Sequence, residues 1–291
     1  MKINEIIKTN DKTLSFEVFP PKKQSSFESV KTAIEEIAKL KPHFMSVTYG
    51  AGGGTSEYTL EIAKSIKASY GVSTIAHLTC VSSTKETVRA RIEELKKENI
   101  ENVLALRGDI PEELLNDDRS QWAYNHATDL IKDIKSLNAP FCLGGACYPE
   151  KHPESATKED DILHLKEKVD AGCEFLTTQM FFDNNLYYSF VEELRKKNID
   201  VPVIAGIMPL TAKKQIERSI SLSGSYIPKE FLDAVEKCGD DADEIKKVGI
   251  DYAINQIRSL YEHGVKNIHL YSMNKPEVAS FVQSSVFDYI K

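Results

Sequence analysis

Six polar side chains close six apolar, strand-like runs of the 291-residue chain. Glu17 follows Leu14-Ser15-Phe16, Thr48 follows Met45-Ser46-Val47, and His77 follows Thr74-Ile75-Ala76. Asp109 follows Leu104-Ala105-Leu106-Arg107-Gly108, Gln179 follows Leu176-Thr177-Thr178, and Tyr271 follows Ile268-His269-Leu270. A polar group is costly in a sheet core unless it is paired, so its repeated placement at the same end of successive strands marks a reaction site. Glu17 is the sharpest candidate. Strand alternation puts it on the side of Ser15 and Phe19, facing the lumen of a closed sheet, with Leu14, Phe16 and Val18 turned toward helices. A free Glu titrates near ~4.3. Among aromatics at a barrel mouth, desolvation is expected to raise that value and make Glu17 a general acid. The bland alternative is a solvated acid at a strand end.

Arg107-Gly108-Asp109 has two readings: a rim salt bridge on a tight glycine turn, or a place where a flat ligand approaches the backbone and meets both charges along its polar edge. His77 is either a satisfied core histidine or a ligand contact. Gln179 offers a fixed donor and acceptor pair, suited to an amide-like ring edge or to tying down a loop. His152 stands in the proline-bracketed loop Tyr148-Pro149-Glu150-Lys151-His152-Pro153-Glu154. No helical His-x-x-x-His and no Cys/His cluster is present, so no metal site is expected. No strand closes on lysine, which argues against a Schiff-base aldolase, and no nucleophile elbow is visible.

Short β-rich runs that alternate with longer amphipathic ones must position these groups. Strands are expected near 14–19, 43–48, 73–79, 102–107, 140–147, 174–179, 202–207 and 267–271. Helices are expected near 27–40, 57–69, 84–98, 122–137, 159–171, 185–197, 211–222, 241–263 and 276–289. Thr84 offers an N-cap, and Gly172 and Gly264 offer helix stops. The alternation predicts parallel strands with right-handed crossovers, closed as an eight-stranded α/β barrel whose carboxyl rim carries the chemistry. The whole chain, 1–291, reads as a single domain. The span 223–247 exceeds a simple crossover and reads as an extra helix between strands 7 and 8 with an acidic cap, Asp240-Asp241-Ala242-Asp243-Glu244. An open doubly wound sheet would carry a Gly-x-Gly-x-x-Gly turn after its first strand. Phe19-Pro20-Pro21 cannot make one. Ala51-Gly52-Gly53-Gly54-Thr55 follows the second strand and has two readings, a mobile loop, which is favoured, or a phosphate cradle; no Walker lysine follows it.

A net charge of −7 argues against a general nucleic-acid surface and leaves room for a local basic pocket. Five cysteines without a C-x-x-C spacing read as reduced, mostly buried thiols. Neither a signal peptide nor a run of ~20 apolar residues is present, so a cytosolic protein with no membrane segment is expected.

Taken in order, several strings resemble the methylenetetrahydrofolate reductases over nearly the whole chain. They are Ser15-Phe16-Glu17-Val18-Phe19-Pro20-Pro21, Ser46-Val47-Thr48-Tyr49-Gly50, His77-Leu78-Thr79-Cys80 and Ala105-Leu106-Arg107-Gly108-Asp109. Tyr148-Pro149-Glu150-Lys151-His152-Pro153, Lys168-Val169-Asp170-Ala171-Gly172 and Thr178-Gln179-Met180-Phe181-Phe182-Asp183 complete the series. The resemblance implies a barrel holding FAD at its carboxyl rim and a two-stage reaction. NADH or NADPH reduces the flavin and leaves; methylenetetrahydrofolate then takes the hydride and becomes methyltetrahydrofolate, in one-carbon and methionine metabolism.

By the same resemblance, Glu17 is the general acid that opens the folate's five-membered ring, and Asp109 stabilises the resulting cation. Thr48, Tyr49, His77, Arg107, Gly108, Asp109, Ala127, Tyr148, His152, Asp161, His164 and Lys168 fall at flavin-binding positions. Glu17, Asp109, Gln179, Gln215, Tyr271 and Lys275 fall at substrate positions. There are departures. His126 stands at an expected tyrosine, His164 at an asparagine, Glu167 at a basic residue facing the FAD diphosphate, and Ser219 at a phenylalanine that packs on ligands. The chain ends at Lys291, so a regulatory domain and inhibition by S-adenosylmethionine are not expected. A homo-oligomer is expected, and some relatives work with a partner subunit. No Rossmann acid exists to decide NADH against NADPH. Two other classes compete: a flavin-free phosphate-binding lyase or isomerase, and a silent barrel subunit of a redox complex. Bound flavin separates the first of these from a reductase.

Overall fold

The structure, a computed structural model, describes residues 1–21, 26–49, 56–116 and 118–291. The glycine-rich segment 51–55 lies outside the described residues. Eight strands, β1 (Thr13–Val18), β2 (Phe44–Val47), β3 (Ser73–Thr79), β4 (Asn102–Leu106), β5 (Cys142–Cys147), β6 (Phe175–Thr178), β7 (Val203–Ile207) and β8 (Asn267–Tyr271), pair in sequence order into a closed barrel. Every pairing is parallel, including the closure of β8 on β1. Among the described residues, ten helices cover or extend the barrel: α2 (Phe27–Lys39), α3 (Ser56–Tyr70), α4 (Lys85–Lys97), α5 (Ala127–Ser136), α6 (Lys158–Asp170), α7 (Asn184–Lys196), α8 (Lys213–Ser223), α9 (Lys229–Lys237), α10 (Ala242–Glu262) and α11 (Pro276–Ser285). This is the (β/α)8 TIM-barrel architecture that the alternation predicts.

The period of two along each strand splits the molecule into two layers. Leu14, Phe16 and Val18 of β1 pack outward with Met45, Val47 and the helical residues Ile34, Ile37 and Ile62. The lumen is apolar at its amino end, where Phe44, Ile75, Leu104, Cys142, Phe175 and Ile204 form a floor. Ile3 and Ile6 of a further helix, α1 (Ile3–Thr9), seal that floor from below. The Ile3 amide donates to Asn102 Oδ1 at 2.8 Å, and Asn102 Nδ2 donates to the Thr74 carbonyl at 3.1 Å, so α1 docks on the ends of β3 and β4. Sequence periodicity gave no sign of α1, because seven residues are too few to display one.

Three helices, α8 to α10, separate β7 from β8, as the excess length over 223–247 implies. They enclose a satellite core of Phe182, Leu210, Ile216, Ile227, Phe231, Val235 and Ile245. The acidic run does not cap the inserted helix. Asp241 caps α10, accepting from the Asp243 and Glu244 amides at 3.0 and 3.1 Å, and the acids sit where the helix dipole favours them. A second correction concerns α5. It begins at Ala127 rather than 122, because Asp129 accepts from the Asn125 and His126 amides, both at 3.0 Å, and fixes the start there. Thr84 caps α4, and Gly172 and Gly264 follow α6 and α10, as expected. All five cysteines are free thiols, four of them buried. Among the described residues, no helix is long and apolar enough to cross a membrane.

Candidate active site at the barrel mouth

Above the apolar floor the lumen turns polar. Ser15 and Glu17 project inward from β1, Ser46 from β2, His77 from β3, and His269 and Tyr271 from β8. The strand register places Glu17 beside Ser46 on one side and Tyr271 on the other, and Ser15 beside His269. The Glu17 side chain is 19% exposed. Its Oε2 accepts from Ser46 Oγ at 3.4 Å and lies 3.6 Å from His77 Nε2 and 3.9 Å from His269 Nε2. Ser46 Oγ meets His269 Nε2 at 2.9 Å, and Ser15 Oγ meets His269 Nδ1 at 2.7 Å.

The carboxyl does not behave as its apolar neighbours suggest. Burial pushes the Glu17 pKa up, but hydrogen bonding toward His269 and Ser46 and the charges of His77 and His269 outweigh it. Glu17 is therefore held below its ordinary value of 4.5. The expectation of a raised pKa fails because the strand ends facing Glu17 carry two imidazoles and a hydroxyl rather than aromatics alone. His77 responds in the opposite sense. Burial pushes it down from 6.5 to about 4, with Glu17 opposing and His269 reinforcing the shift. Its buried Nε2 has no hydrogen-bond partner among the described residues. Tyr271 is pushed well above 10 by burial and by the Glu17 charge, and its hydroxyl donates to the Thr178 carbonyl at 2.5 Å. That ring crosses β7 where only glycine fits. A Cβ on Gly206 would stand 2.4 Å from the Thr178 carbonyl oxygen and 2.6 Å from the Tyr271 hydroxyl.

The rim turn Arg107-Gly108-Asp109 continues from β4. Gly108 has φ +89°, and a Cβ there would lie 2.9 Å from Val81 Cγ1, so glycine is required twice over. The carbonyl of Arg107 accepts from the Cys80 and Val81 amides at 3.1 and 2.7 Å, which pins the turn. The rim salt bridge of the first reading is present here. The Arg107 guanidinium forms a bidentate ion pair with Glu154 at 2.6 and 2.7 Å, while the Asp109 side chain is exposed at the mouth.

The loop between β5 and α6 faces this turn. Tyr148 and His152 meet edge-on at 4.7 Å. The buried Asp161 accepts from the His152 amide at 3.1 Å and from Ser155 Oγ at 3.0 Å, so both its oxygens hold the loop. The Lys168 ammonium donates to the Ala146 carbonyl at 2.7 Å, and burial lowers its pKa. Gln179 Oε1 accepts from the Met180 amide at 2.9 Å, which fixes its side chain at the end of β6.

Other expected residues lie further out. The Thr48 amide donates to the Val18 carbonyl at 2.9 Å, while Tyr49 packs against the helix-side core. Ala127 begins α5, and the exposed His164 stacks on His126 at 6.3 Å. Glu167 is exposed. Gln215 and Lys275 converge on Thr211. Gln215 Oε1 accepts from its amide at 2.7 Å and its hydroxyl at 3.0 Å, and Lys275 Nζ donates to that hydroxyl at 2.8 Å. Ser219 is buried and donates to the Gln215 carbonyl at 2.8 Å.

Sequence reasoning missed His269, Ser46, Glu154 and Asn274. His269 was legible as a polar residue two positions before Tyr271 on the same strand face. Asn274 clamps the segment after Glu17, accepting from the Phe19 amide at 3.0 Å and donating to its carbonyl at 2.8 Å.

Comparison with known proteins gives the family. The family model described as methylenetetrahydrofolate reductase matches residues 2–286. The 5,10-methylenetetrahydrofolate reductase of Escherichia coli K12 is 35% identical over 266 residues, which are 91% of this chain and 88% of that protein. Methylenetetrahydrofolate reductase (NADH) 1 of Arabidopsis thaliana is 34% identical over 283 residues; the match takes in 94% of this chain and 48% of the plant protein, about half its length. A solved structure from Clostridium thermocellum, of an uncharacterized protein described as binding two copies of 5-methyl-5,6,7,8-tetrahydrofolic acid, aligns over 100% of both chains. Its TM-score is 0.64 at 16% identity, which speaks to the fold. A chain matched from residue 2 to residue 286 by one family, and 35% identical to a bacterial member over 91% of its length, belongs to the methylenetetrahydrofolate reductases.

Proposed function

We propose that this chain reduces 5,10-methylenetetrahydrofolate to 5-methyltetrahydrofolate, using FAD as cofactor and NADH or NADPH as the source of hydride. The observation that carries the reading is the Glu17 carboxyl, held at the end of β1 by one hydroxyl and flanked by two imidazoles at a mouth that stays open to solvent.

The residues present fit a flavin. His77 Nε2 is a buried ring nitrogen without a hydrogen-bond partner among the described residues, which a ligand acceptor would satisfy. Gly108 makes a tight backbone turn beside Arg107 and Asp109, and Tyr148 and His152 supply an aromatic edge. Thr48, His77, Arg107, Gly108, Tyr148 and His152 would hold the ring system, with Asp161 fixing the loop that carries His152. Lys168 and Arg107 are the cations that would meet a diphosphate; Glu167 contributes none. When bound, the flavin supplies the two-electron chemistry that links nicotinamide to folate.

The chain's own residues do the rest. Opening the folate's five-membered ring needs a proton on the departing nitrogen and leaves a cation on the one-carbon unit. Glu17 is ionised in the ligand-free mouth. A pterin ring laid over it removes water from the carboxyl and raises its proton affinity, so it can hold the proton until the nitrogen takes it. Asp109, exposed at the rim, places a negative charge where the cation develops. Gln179, oriented by the Met180 amide, offers its NH₂ to a pterin edge. Tyr271 walls the mouth, while Gln215 and Lys275 present a polar group and a cation at its outer side.

Stopped-flow mixing of the purified protein with each nicotinamide, then with methylenetetrahydrofolate, tests this reading. It predicts bleaching of a flavin absorbance in the first step and its return in the second. Protein purified without flavin that binds none when FAD is added would sink it.

A further inference from the structure

Two histidines flank Glu17, but a hydroxyl connects only one of them to it. His269 is 3% exposed. It is stacked on Phe44 at 6.2 Å and meets Tyr271 edge-on at 5.5 Å, so its ring cannot turn freely. Its two nitrogens face Ser15 and Ser46. Each serine has one hydrogen to give, which makes the protons countable. The Ser15 hydroxyl donates to the Ile268 carbonyl at 3.0 Å, so Nδ1 of His269 must donate to Ser15.

The Ser46 hydrogen has two possible acceptors, and they define two states. If it goes to Glu17 Oε2, then His269 Nε2 must also carry a hydrogen and donate it to Ser46; the imidazole is a cation and Glu17 an anion. If it goes to His269 Nε2, that nitrogen is bare and Glu17 carries the proton, donating it to Ser46. Both states hold the same number of protons. They interconvert when one hydrogen moves from Nε2 to Oγ as another moves from Oγ to Oε2.

The other groups facing Glu17 do not compete for this role. His77 on β3 is neutral above about pH 4, and Tyr271 on β8 is neutral because its pKa lies well above 10. The low pKa of Glu17 in the ligand-free mouth corresponds to the first state, and a ring covering the carboxyl favours the second, which separates no charge.

We infer that His269 and Ser46 form a relay that loads Glu17, so that the proton given to the folate nitrogen is drawn from a buried imidazole. The balance closes. The nitrogen gains one proton and its bond to the one-carbon unit breaks, His269 loses one proton, and Ser46 and Glu17 end as they began. Solvent at the mouth restores the missing proton once product leaves. Both residues act through Glu17 and are positioning residues for it. The inference rests on the general-acid reading of Glu17.

Histidine nitrogen NMR of the ligand-free protein near neutral pH reads the first state directly. One ring should carry hydrogens on both nitrogens, vanish in His269→Asn, and revert to a single hydrogen in Glu17→Gln. Stopped-flow kinetics reads the relay in action. Ser46→Ala should slow the folate step roughly tenfold to a hundredfold and straighten a curved proton inventory, while Ser46→Thr, which keeps the hydroxyl, should recover most of the rate and the curvature. Ser46→Ala removes one oxygen atom and keeps the test usable if His269→Asn fails to fold. A slow Glu17→Gln beside a Ser46→Ala with wild-type rate and inventory would overturn the relay alone. A Glu17→Gln that turns over folate at the wild-type rate would overturn the general-acid reading itself.

Discussion

At the scale of single residues, the mouth is a set of opposed protonation preferences. Glu17 is stabilised as an anion and His77 as a neutral base, although they lie 3.6 Å apart. Changing Glu17 to Gln keeps the shape and removes the transferable proton. Folate turnover should fall by about 10² to 10⁴, while reduction by the nicotinamide falls far less; equal losses in the two half-reactions would refute the assignment. Asp109→Asn removes a charge that disfavours electron gain nearby. It should make the flavin easier to reduce and slow the folate step by about 10², read from a redox titration and from stopped flow. His77 has a consequence for stability. Its folded pKa of about 4 lies below the ordinary 6.5, so between those values the unfolded chain binds more protons than the folded one. Stability should therefore fall as pH drops from 6.5 to about 4, by about 3 kcal/mol in all. Glu17 adds a loss at lower pH, as the fall passes its depressed value. Thermal melts across that range should show a shallower decline in His77→Gln; parallel curves would contradict the argument.

At the scale of elements, the barrel depends on a floor and on close contacts between strands. Ile3 is fully buried in the lumen floor and comes from a helix of only seven residues. Ile3→Ala should cost roughly 2–5 kcal/mol in urea unfolding, as for other large-to-small core changes, and should leave the folate step nearly intact because the floor lies below the polar layer. Gly206→Ala should cost about 1–3 kcal/mol through overpacking. It should also displace the Tyr271 ring and so weaken folate binding, measurable as a raised KM. A neutral result would mean that β7 and β8 move apart more easily than their spacing indicates.

At the scale of the whole molecule, the flavin proposed for the open end of the barrel should stabilise the fold. FAD added at a hundred times its dissociation constant contributes about 2.7 kcal/mol. For a domain of this size that should raise Tm by roughly 5 °C or more; an unchanged Tm at saturating FAD would argue against a flavin receptor.

The eight strands were legible from their apolar runs because burial on both faces imposes that composition. The inward face of β1 was legible because alternation alone fixes it. Glu17, Asp109, Gln179 and Tyr271 were legible as polar groups closing those runs. The electrostatic state of Glu17 was not. Ser15 and His269 are 254 positions apart in the chain, and only closure of β8 on β1 makes them neighbours. Glu154 and Arg107, 47 positions apart, meet only when the β5–α6 loop folds over the rim. Sequence pattern is a local record of which face each residue shows. A pKa, an ion pair and a proton path depend on distances across the lumen, which exist only once the sheet has closed.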